Sequence, residues 1–394
     1  DSNRMVDIAL IFPGQGAQAV GMGRDVARAY QAAAAVFEEA DRILGFDLSA
    51  LCFAGPADRL NATDVSQPAI FVTSVAIWRA LEDAGRTGDW CPTAMAGLSL
   101  GEYTALHLAG WLGFEDGLQL VAERGRLMQR AAESQAGGMI SIIGLDESTV
   151  GGLCEQAAQG EVLNPANFNC PGQIVVSGAK GACDRVLALA EQAGARAIPL
   201  TVAGAFHSAL MAPAADGLRT ALAIARITPG RIGVVSNVSA DYHADPDGVR
   251  RLLCAQVVQP VRWQASVERL IGEGFDRFIE VGPGRVLTGL MKKINRAVSA
   301  QNIVVDAGPS HAVNSFSPLR ALGGGIDRLR GGATREENEK HTERVLTDPV
   351  LTELLGAGWG AVSYRQNTEL MIEAWHWNPR GTWSNAAKQE GYFV

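Results

Sequence analysis

Aromatic side chains make up 6% of this 394-residue chain and charged ones 19%, and its six cysteines are spread too thinly to form a single C-x-x-C pair. Each shortage narrows the field. Cys52, Cys91, Cys154, Cys170, Cys183 and Cys254, with no histidine at zinc-ligand spacing, read as reduced thiols of a cytosol-like compartment, with no disulfide frame and no metal site. No stretch reaches the roughly 18 to 20 uninterrupted apolar residues of a membrane-crossing helix, so no membrane association is expected. The start, Asp1-Ser2-Asn3-Arg4-Met5, has no apolar signal core. The natural start is either Met5 or follows a removed leader, so the expected location is cytoplasmic, with an organelle matrix as the alternative. Positive charge is also in deficit: 34 Lys and Arg against 42 Asp and Glu leave a net charge of −8. That argues against a nucleic-acid binder but leaves local basic clusters free to dock an acidic partner.

What the chain does have is apolar content, 47%, ample for a buried core of about two or three domains. There are no internal repeats. Val6 to Phe12 is a strand candidate stopped by Pro13-Gly14-Gln15-Gly16, followed by helical periodicity through Ala40 and a loop at Gly55-Pro56. Helices are expected from Pro68 to Ala84 and from Glu102 to Ala132, broken at Gly110 and Gly113, with the apolar run Pro92 to Ala96 between them. This alternation predicts a parallel α/β core. From Gly137 the texture changes to strand, helix, strand, strand, helix, strand, ending near Val202, the βαββαβ order of an inserted ferredoxin-like module. The α/β texture resumes with strands Arg231 to Ser236 and Phe275 to Val281.

The expected boundaries are 5–136 and 203–296 for the α/β core, 137–202 for the small domain, and 297–394 for an extension of unassigned role. The extension holds Gly323-Gly324-Gly325, Gly331-Gly332 and a charged run from Arg335 to Arg344, which read as linker and exposed helix. Four of the eight tryptophans, Trp359, Trp375, Trp377 and Trp383, fall in its last 36 residues and predict, with Tyr364, a small separate element.

The most informative segment is Gly97-Leu98-Ser99-Leu100-Gly101, a G-x-S-x-G turn between an apolar run and a good helix former. Such a turn lifts a serine hydroxyl out of the sheet and sets it at a helix N-terminus, where unpaired N–H groups stabilise developing negative charge. His207, in Gly204-Ala205-Phe206-His207-Ser208, follows the inserted module and could take the serine proton. Gln15 sits in a glycine-rich turn that could bring donors to an oxyanion. Gly14 to Ala19 also satisfies G-x-G-x-x-A. A dinucleotide site, however, wants an acid ending a second strand, and Glu38, Glu39 and Asp41 lie in a helical stretch. Arg124 could clamp a substrate carboxylate, and Gln256 is a polar residue entering an apolar run before Pro260.

Six segments in this order resemble the malonyl-CoA:acyl carrier protein transacylase family, the acyltransferases of fatty-acid and polyketide synthesis. They are Ile11 to Gln18, Gly97 to Tyr103, Arg124 to Gln129, Gly204 to His207, Gln259 to Trp263 and Glu280 to Gly284, and the resemblance covers about residues 5 to 295. It implies an α/β-hydrolase-like parallel-sheet domain with an inserted ferredoxin-like domain. It implies malonyl transfer from malonyl-CoA to the phosphopantetheine thiol of acyl carrier protein through a malonyl-serine, by a monomer with no permanently bound cofactor or metal. The implied roles are nucleophile for Ser99, base for His207, oxyanion donors at the backbone of Gln15 and Leu100, and carboxylate clamp for Arg124. Gln256 helps to hold the histidine or a water. Phe206 resembles the bulky residue of malonyl-selective members and is expected to crowd out an α-methyl group. Leu98 stands where the usual pattern has a histidine. A backbone carbonyl, not an acid, is expected to hold the imidazole. Arg285, Lys292, Lys293 and Arg296 are the expected landing site for the acidic carrier. The alternatives are a polyketide synthase acyltransferase component, a serine esterase or thioesterase, and a docking scaffold that kept the fold.

Overall fold

Ile8-Ala9-Leu10-Ile11-Phe12 is apolar at every position, the pattern of a strand covered on both faces, and it forms β1 (Ile8–Phe12), buried throughout. The computed structural model describes residues 8–88, 90 and 92–303, and the backbone of three strands beyond them. β1 leads into α1 (Arg24–Ala29), α2 (Gln31–Leu44), α3 (Leu48–Ala54), α4 (Ala57–Asn61) and α5 (Thr63–Asp83). Next come β2 (Pro92–Gly97), α6 (Gly101–Leu108) and α7 (Phe114–Ser134), then β3 (Gly137–Ile143), α8 (Glu147–Ala158), β4 (Leu163–Cys170), β5 (Gln173–Ala179), α9 (Lys180–Gln192) and β6 (Arg196–Pro199). The chain continues through α10 (Ala212–Ile224), β7 (Gly233–Val235), α11 (Pro246–Gln256), α12 (Trp263–Gly272), β8 (Arg277–Glu280), α13 (Val286–Ile294) and β9 (Ser299–Asn302). Several helices begin at side-chain caps. Asp47, Asp146 and Asp245 accept from the backbone N–H of Ala50, Thr149 and Gly248, satisfying donors that the first turn leaves open.

Five parallel strands in the order β7-β2-β1-β8-β9 form the main sheet. The register pairs Phe12 with Gly97 and Ile11 with Glu280, so the strands end level and their following loops gather at one edge. Open parallel sheets bind ligands at that edge. The second sheet is antiparallel, in the order β4-β5-β3-β6, with α8 and α9 closing a core of Ile140, Ile142, Val150, Val176 and Val186 beneath it. Backbone bonds tie the second sheet to the loop before α12: Val261 N–H donates to Ala166 O at 2.8 Å, and Phe168 N–H to Val261 O at 2.9 Å.

Three features depart from the sequence expectation. The helical run expected through Ala40 is two helices, parted where Tyr30 turns extended at φ −132°, and the second continues to Leu44. α5 starts at Thr63, not Pro68. Pro68 lies inside it and forgoes one backbone bond, while the burial of Val65, Gln67, Ala69 and Ile70 offsets that loss. β9 lies beyond Arg296, where the core was expected to end. It pairs in parallel with β8, and Ile303 after it is buried. Its sequence, Ser-Ala-Gln-Asn, is half exposed and carries no apolar signal.

The chain divides into two compact units, Asp1–Ser315 and Phe316–Val394. In the second, β10 (Trp359–Gln366), β11 (Glu369–Trp377) and β12 (Trp383–Asn385) form an antiparallel sheet in which Trp377 pairs with Trp383 and Trp359 with His376. The glycine-rich segments and the charged run from Arg335 to Arg344 lie outside the described residues. Among the described residues no helix is long and apolar enough to cross a membrane.

Candidate active site

The Gly97-Leu98-Ser99-Leu100-Gly101 turn works because nothing but hydrogen fits at its two glycines. A Cβ at Gly97 would lie 1.9 Å from the carbonyl carbon of Gly101, and one at Gly101 would lie 2.1 Å from Phe12 O. Ser99 itself sits at φ +51°, a left-handed conformation that a non-glycine residue adopts only when its surroundings impose it. Two side chains do so. Asn237 Oδ1 accepts from Ser99 N–H at 2.6 Å, and Gln256 Nε2 donates to Ser99 O at 3.0 Å. The hydroxyl is thereby presented, half-buried, at the N-terminal end of α6.

His207 lies in the loop between β6 and α10 and also has a left-handed backbone, at φ +58°. Asn164 Nδ2, from β4 of the second sheet, donates to His207 O at 3.1 Å. The ring nitrogen Nε2 stands 2.9 Å from Ser99 Oγ, and Nδ1 stands 2.7 Å from Gln256 O. A carbonyl only accepts, so Nδ1 carries the proton and Nε2 offers its lone pair to the serine. The backbone carbonyl expected to hold the imidazole is therefore that of Gln256. Burial, then the nearby positive charge of Arg124, brings the His207 pKa down to about 4, and the ring is neutral at neutral pH.

Arg124 is 1% exposed on α7 and forms no ion pair among the described residues. Its Nη1 donates to Gln67 Oε1 at 2.6 Å, and its Nη2 to Gln256 Oε1 at 2.9 Å and to Ser99 Oγ at 3.0 Å. The guanidinium lies 5.6 Å from the centre of the Tyr103 ring. Gly125 allows this placement, since a Cβ there would meet Thr63 O at 2.5 Å and push α7 away from the start of α5. A buried cation with no anion in direct contact is costly to hold, and desolvation lowers the Arg124 pKa. The arrangement is suited to receiving a carboxylate.

The turn after β1 presses on the elbow: a Cβ at Gly14 would fall 2.4 Å from Leu98 O. Neither Gln15 N–H nor Leu100 N–H donates to an acceptor among the described residues. The Gln15 side chain is engaged elsewhere, donating to Thr63 Oγ1 at 3.3 Å. Phe206 is buried in the core cluster that contains Tyr103 and Met128. Gly282, at φ +149°, abuts Pro13, so the chain leaving β8 passes beside the turn after β1 on its way to Arg285. Arg285, Lys292, Lys293 and Arg296 are exposed at the two ends of α13 and just past it, and none has an ion-pair partner among the described residues.

Sequence reasoning placed Ser99, His207, Arg124 and Gln256, and the fold brings these four together. It passed over Gln67, Glu102, Asn164, Asn237 and His243. Asn237 follows β7 at the same sheet edge as Ser99, a position that could have marked it. Gln67 is a polar residue amid the apolar, fully buried face of α5. Glu102 gave no signal, because an acid in the first turn of a helix is ordinary.

A family model described as "Acyl transferase domain" matches residues 9–312 of the chain. The malonyl CoA-acyl carrier protein transacylase of Escherichia coli O157:H7 is 45% identical over 297 residues, covering 75% of this chain and 95% of its own. Among solved structures, an acyl carrier protein S-malonyltransferase from Vibrio cholerae superposes with a TM-score of 0.73 at 42% identity, covering 80% of this chain and 99% of that one. A type II PKS acyl-carrier protein in complex with its malonyl-transacylase gives a TM-score of 0.73 at 42% identity, over 77% of this chain and 96% of the matched chain.

Proposed function

The chain belongs to the acyl transferase domain family, and we propose from that membership and the site geometry that it is an acyl-carrier-protein S-malonyltransferase acting on malonyl-CoA. The observation that carries this reading is that two groups meet at the serine oxygen. Ser99 Oγ lies 2.9 Å from the basic nitrogen of His207 and 3.0 Å from a buried guanidinium with no ion-pair partner among the described residues.

In the proposed reaction His207 Nε2 takes the hydroxyl proton as Ser99 Oγ attacks the thioester carbonyl carbon. The carbonyl oxygen becomes an oxyanion and accepts from Gln15 N–H and Leu100 N–H. The C–S bond breaks, the CoA sulfur leaves with the proton from His207, and a malonyl ester remains on Ser99. Arg124 Nη2 exchanges the serine oxygen for the malonyl carboxylate, which fixes the acyl chain. The phosphopantetheine thiol of the carrier then gives its proton to His207 and attacks the ester, and Ser99 Oγ recovers the proton. Phe206 restricts the acyl group beside His207. Arg285, Lys292, Lys293 and Arg296 attract the acidic carrier.

Fatty-acid synthesis is the proposed setting. The polyketide-type neighbour supports the alternative of a polyketide acyltransferase component with the same chemistry. The antiparallel order β4-β5-β3-β6 with βαββαβ connectivity supports a ferredoxin-like small domain at 137–202, inserted in an α/β-hydrolase-like body. A monomer in the cytoplasm, without a bound cofactor, completes the reading. Mass spectrometry after brief exposure to malonyl-CoA tests it. A malonyl adduct on Ser99 that persists until a carrier is added is expected. Rapid release of free malonate would show a hydrolase, and no adduct a scaffold.

A further inference from the structure

Glu102 is fully buried, and all the hydrogen-bond partners of its carboxylate are polar groups of the site's frame. Oε2 accepts from Gln256 Nε2 at 2.7 Å and from Asn237 N–H at 3.0 Å. Oε1 stands 2.8 Å from His243 Nε2. A carboxylate only accepts, so His243 carries a proton on Nε2 and donates it. His243 comes from the loop after β7, held there by its own backbone N–H bond to Val234 O at 2.9 Å. Its side chain is fully buried, and Nδ1 has no partner among the described residues. The bond to Glu102 is thus the one hydrogen bond its imidazole makes there.

Gln256 links that buried pair to the chemistry. Its backbone carbonyl accepts from His207 Nδ1, its Oε1 accepts from Arg124 Nη2, and its Nε2 donates to Ser99 O. Which end of an amide faces which neighbour is decided by its partners. An acceptor-only carboxylate on one side forces the NH2 end of Gln256 toward Glu102 and hence the oxygen toward Arg124. If the carboxylate turned away, the NH2 end would keep only Ser99 O at 3.0 Å and Asn237 Oδ1 at 3.3 Å, and the amide that offers Oε1 to Arg124 would be held less firmly. With Oε1 held by His243, Oε2 faces Gln256 Nε2 and the backbone N–H of Asn237, two residues whose side chains hold the strained backbone of Ser99.

We propose that His243 is a positioning residue of this site, acting through Glu102 on Gln256 to set the orientation of Arg124 and the serine elbow. This rests on the malonyl-transfer reading and deepens it. His243 touches no reacting atom. Its removal loosens the geometry at Arg124 more than it alters the base, because His207 is held by the backbone of Gln256.

The test compares three variants of the full chain in single-turnover acylation of Ser99 by malonyl-CoA and by acetyl-CoA, alongside thermal melting. His243→Gln can extend an amide N–H to about the place of Nε2; His243→Asn is too short; His243→Leu removes the donor at similar volume. The leucine and asparagine variants should acylate roughly 10- to 100-fold more slowly with malonyl-CoA, the scale of a misplaced supporting group. Their malonyl-to-acetyl rate ratio should fall, and glutamine should restore both to within a few-fold. A purely structural histidine would lower the melting temperature and leave rate and ratio of the folded protein unchanged. That outcome, or glutamine no better than asparagine, overturns the proposal. If the leucine variant fails to fold, the glutamine and asparagine pair decides alone. An unaltered protein that forms no malonyl ester overturns the proposed function itself, and this inference with it.

Discussion

Arg124 and Ser99 are hydrogen-bonded to each other: Nη2 donates to Oγ at 3.0 Å, from a buried guanidinium that makes no ion pair among the described residues. The residue that would recognise a substrate carboxylate is therefore within one hydrogen bond of the atom that would attack its thioester. Arg124→Ala should slow Ser99 acylation by malonyl-CoA by roughly 100-fold or more, the scale of a lost buried charge partner. Acetyl-CoA or longer acyl-CoA should still react. Rates measured with both substrates check this, and an equal loss for the two would show an arginine that only supports the fold. In the same assay Phe206→Ala should admit methylmalonyl-CoA, which the unaltered protein should turn over more slowly than malonyl-CoA.

The pH dependence follows from the position of His207. Burial and Arg124 hold its pKa at about 4, and only the neutral ring can take the serine proton. As pH falls, activity is retained through the range where an ordinary imidazole near 6.5 would already be protonated, and it is lost as pH passes the lowered value. The acid limb of kcat/KM for malonyl-CoA should therefore lie near 4. Arg124→Met removes the second cause of the shift and should move the limb upward. A midpoint near 6.5 in the unaltered protein would contradict the buried geometry.

The glycines of the elbow differ from glycines elsewhere. Gly101→Ala puts a Cβ 2.1 Å from Phe12 O, where only backbone can give way. It should cost at least about 2 kcal/mol of stability and most of the acylation rate. Gly151→Ala, in α8 with no atom within 4 Å of the new Cβ, should instead stabilise by about 0.5–1 kcal/mol. Urea midpoints of the two variants, read side by side, make the comparison.

Reversing Lys292 and Lys293 to Glu should raise KM for the carrier and weaken its salt dependence, with the malonyl-CoA half-reaction unchanged. Lys293 also donates to Gln173 Oε1 at 3.1 Å, a surface contact of small energetic weight. A change confined to the malonyl-CoA half-reaction would remove the case for a docking patch.

β9 sets where the chain can be shortened. A chain ended at residue 312, the limit of the family match, should fold and acylate. One ended at residue 297 loses the edge strand paired with β8 and the buried Ile303, and should melt lower or aggregate. Activity and melting curves of the two shortened proteins test the boundary.

The main sheet was legible because its inner strands are continuous apolar runs, and the serine turn because its glycines are obligatory. β9 was not legible: an edge strand covered on one side can be built from Ser-Ala-Gln-Asn, since its backbone bonds to β8 do the holding. The start of α5 was hidden by Pro68, which marks a first helical turn in isolation but is tolerated here under heavy burial. Within the site, residues with a chemical role stood out by type and motif. Those that act on other residues did not, because Glu102, Asn237 and His243 gain their meaning only from partners more than 130 positions away in Ser99, Glu102 and their neighbours.

Val261 is bonded through its backbone to both flanks of Asn167, and Asn164 on the same strand holds the carbonyl of His207. A shift of β4 would therefore reach His207 through Asn164 and change its 2.9 Å approach to Ser99 Oγ. In the proposed transfer the pantetheine arm would come to Ser99 twice, first on coenzyme A and then on the carrier, and each visit would need the small sheet at rest against the loop before α12.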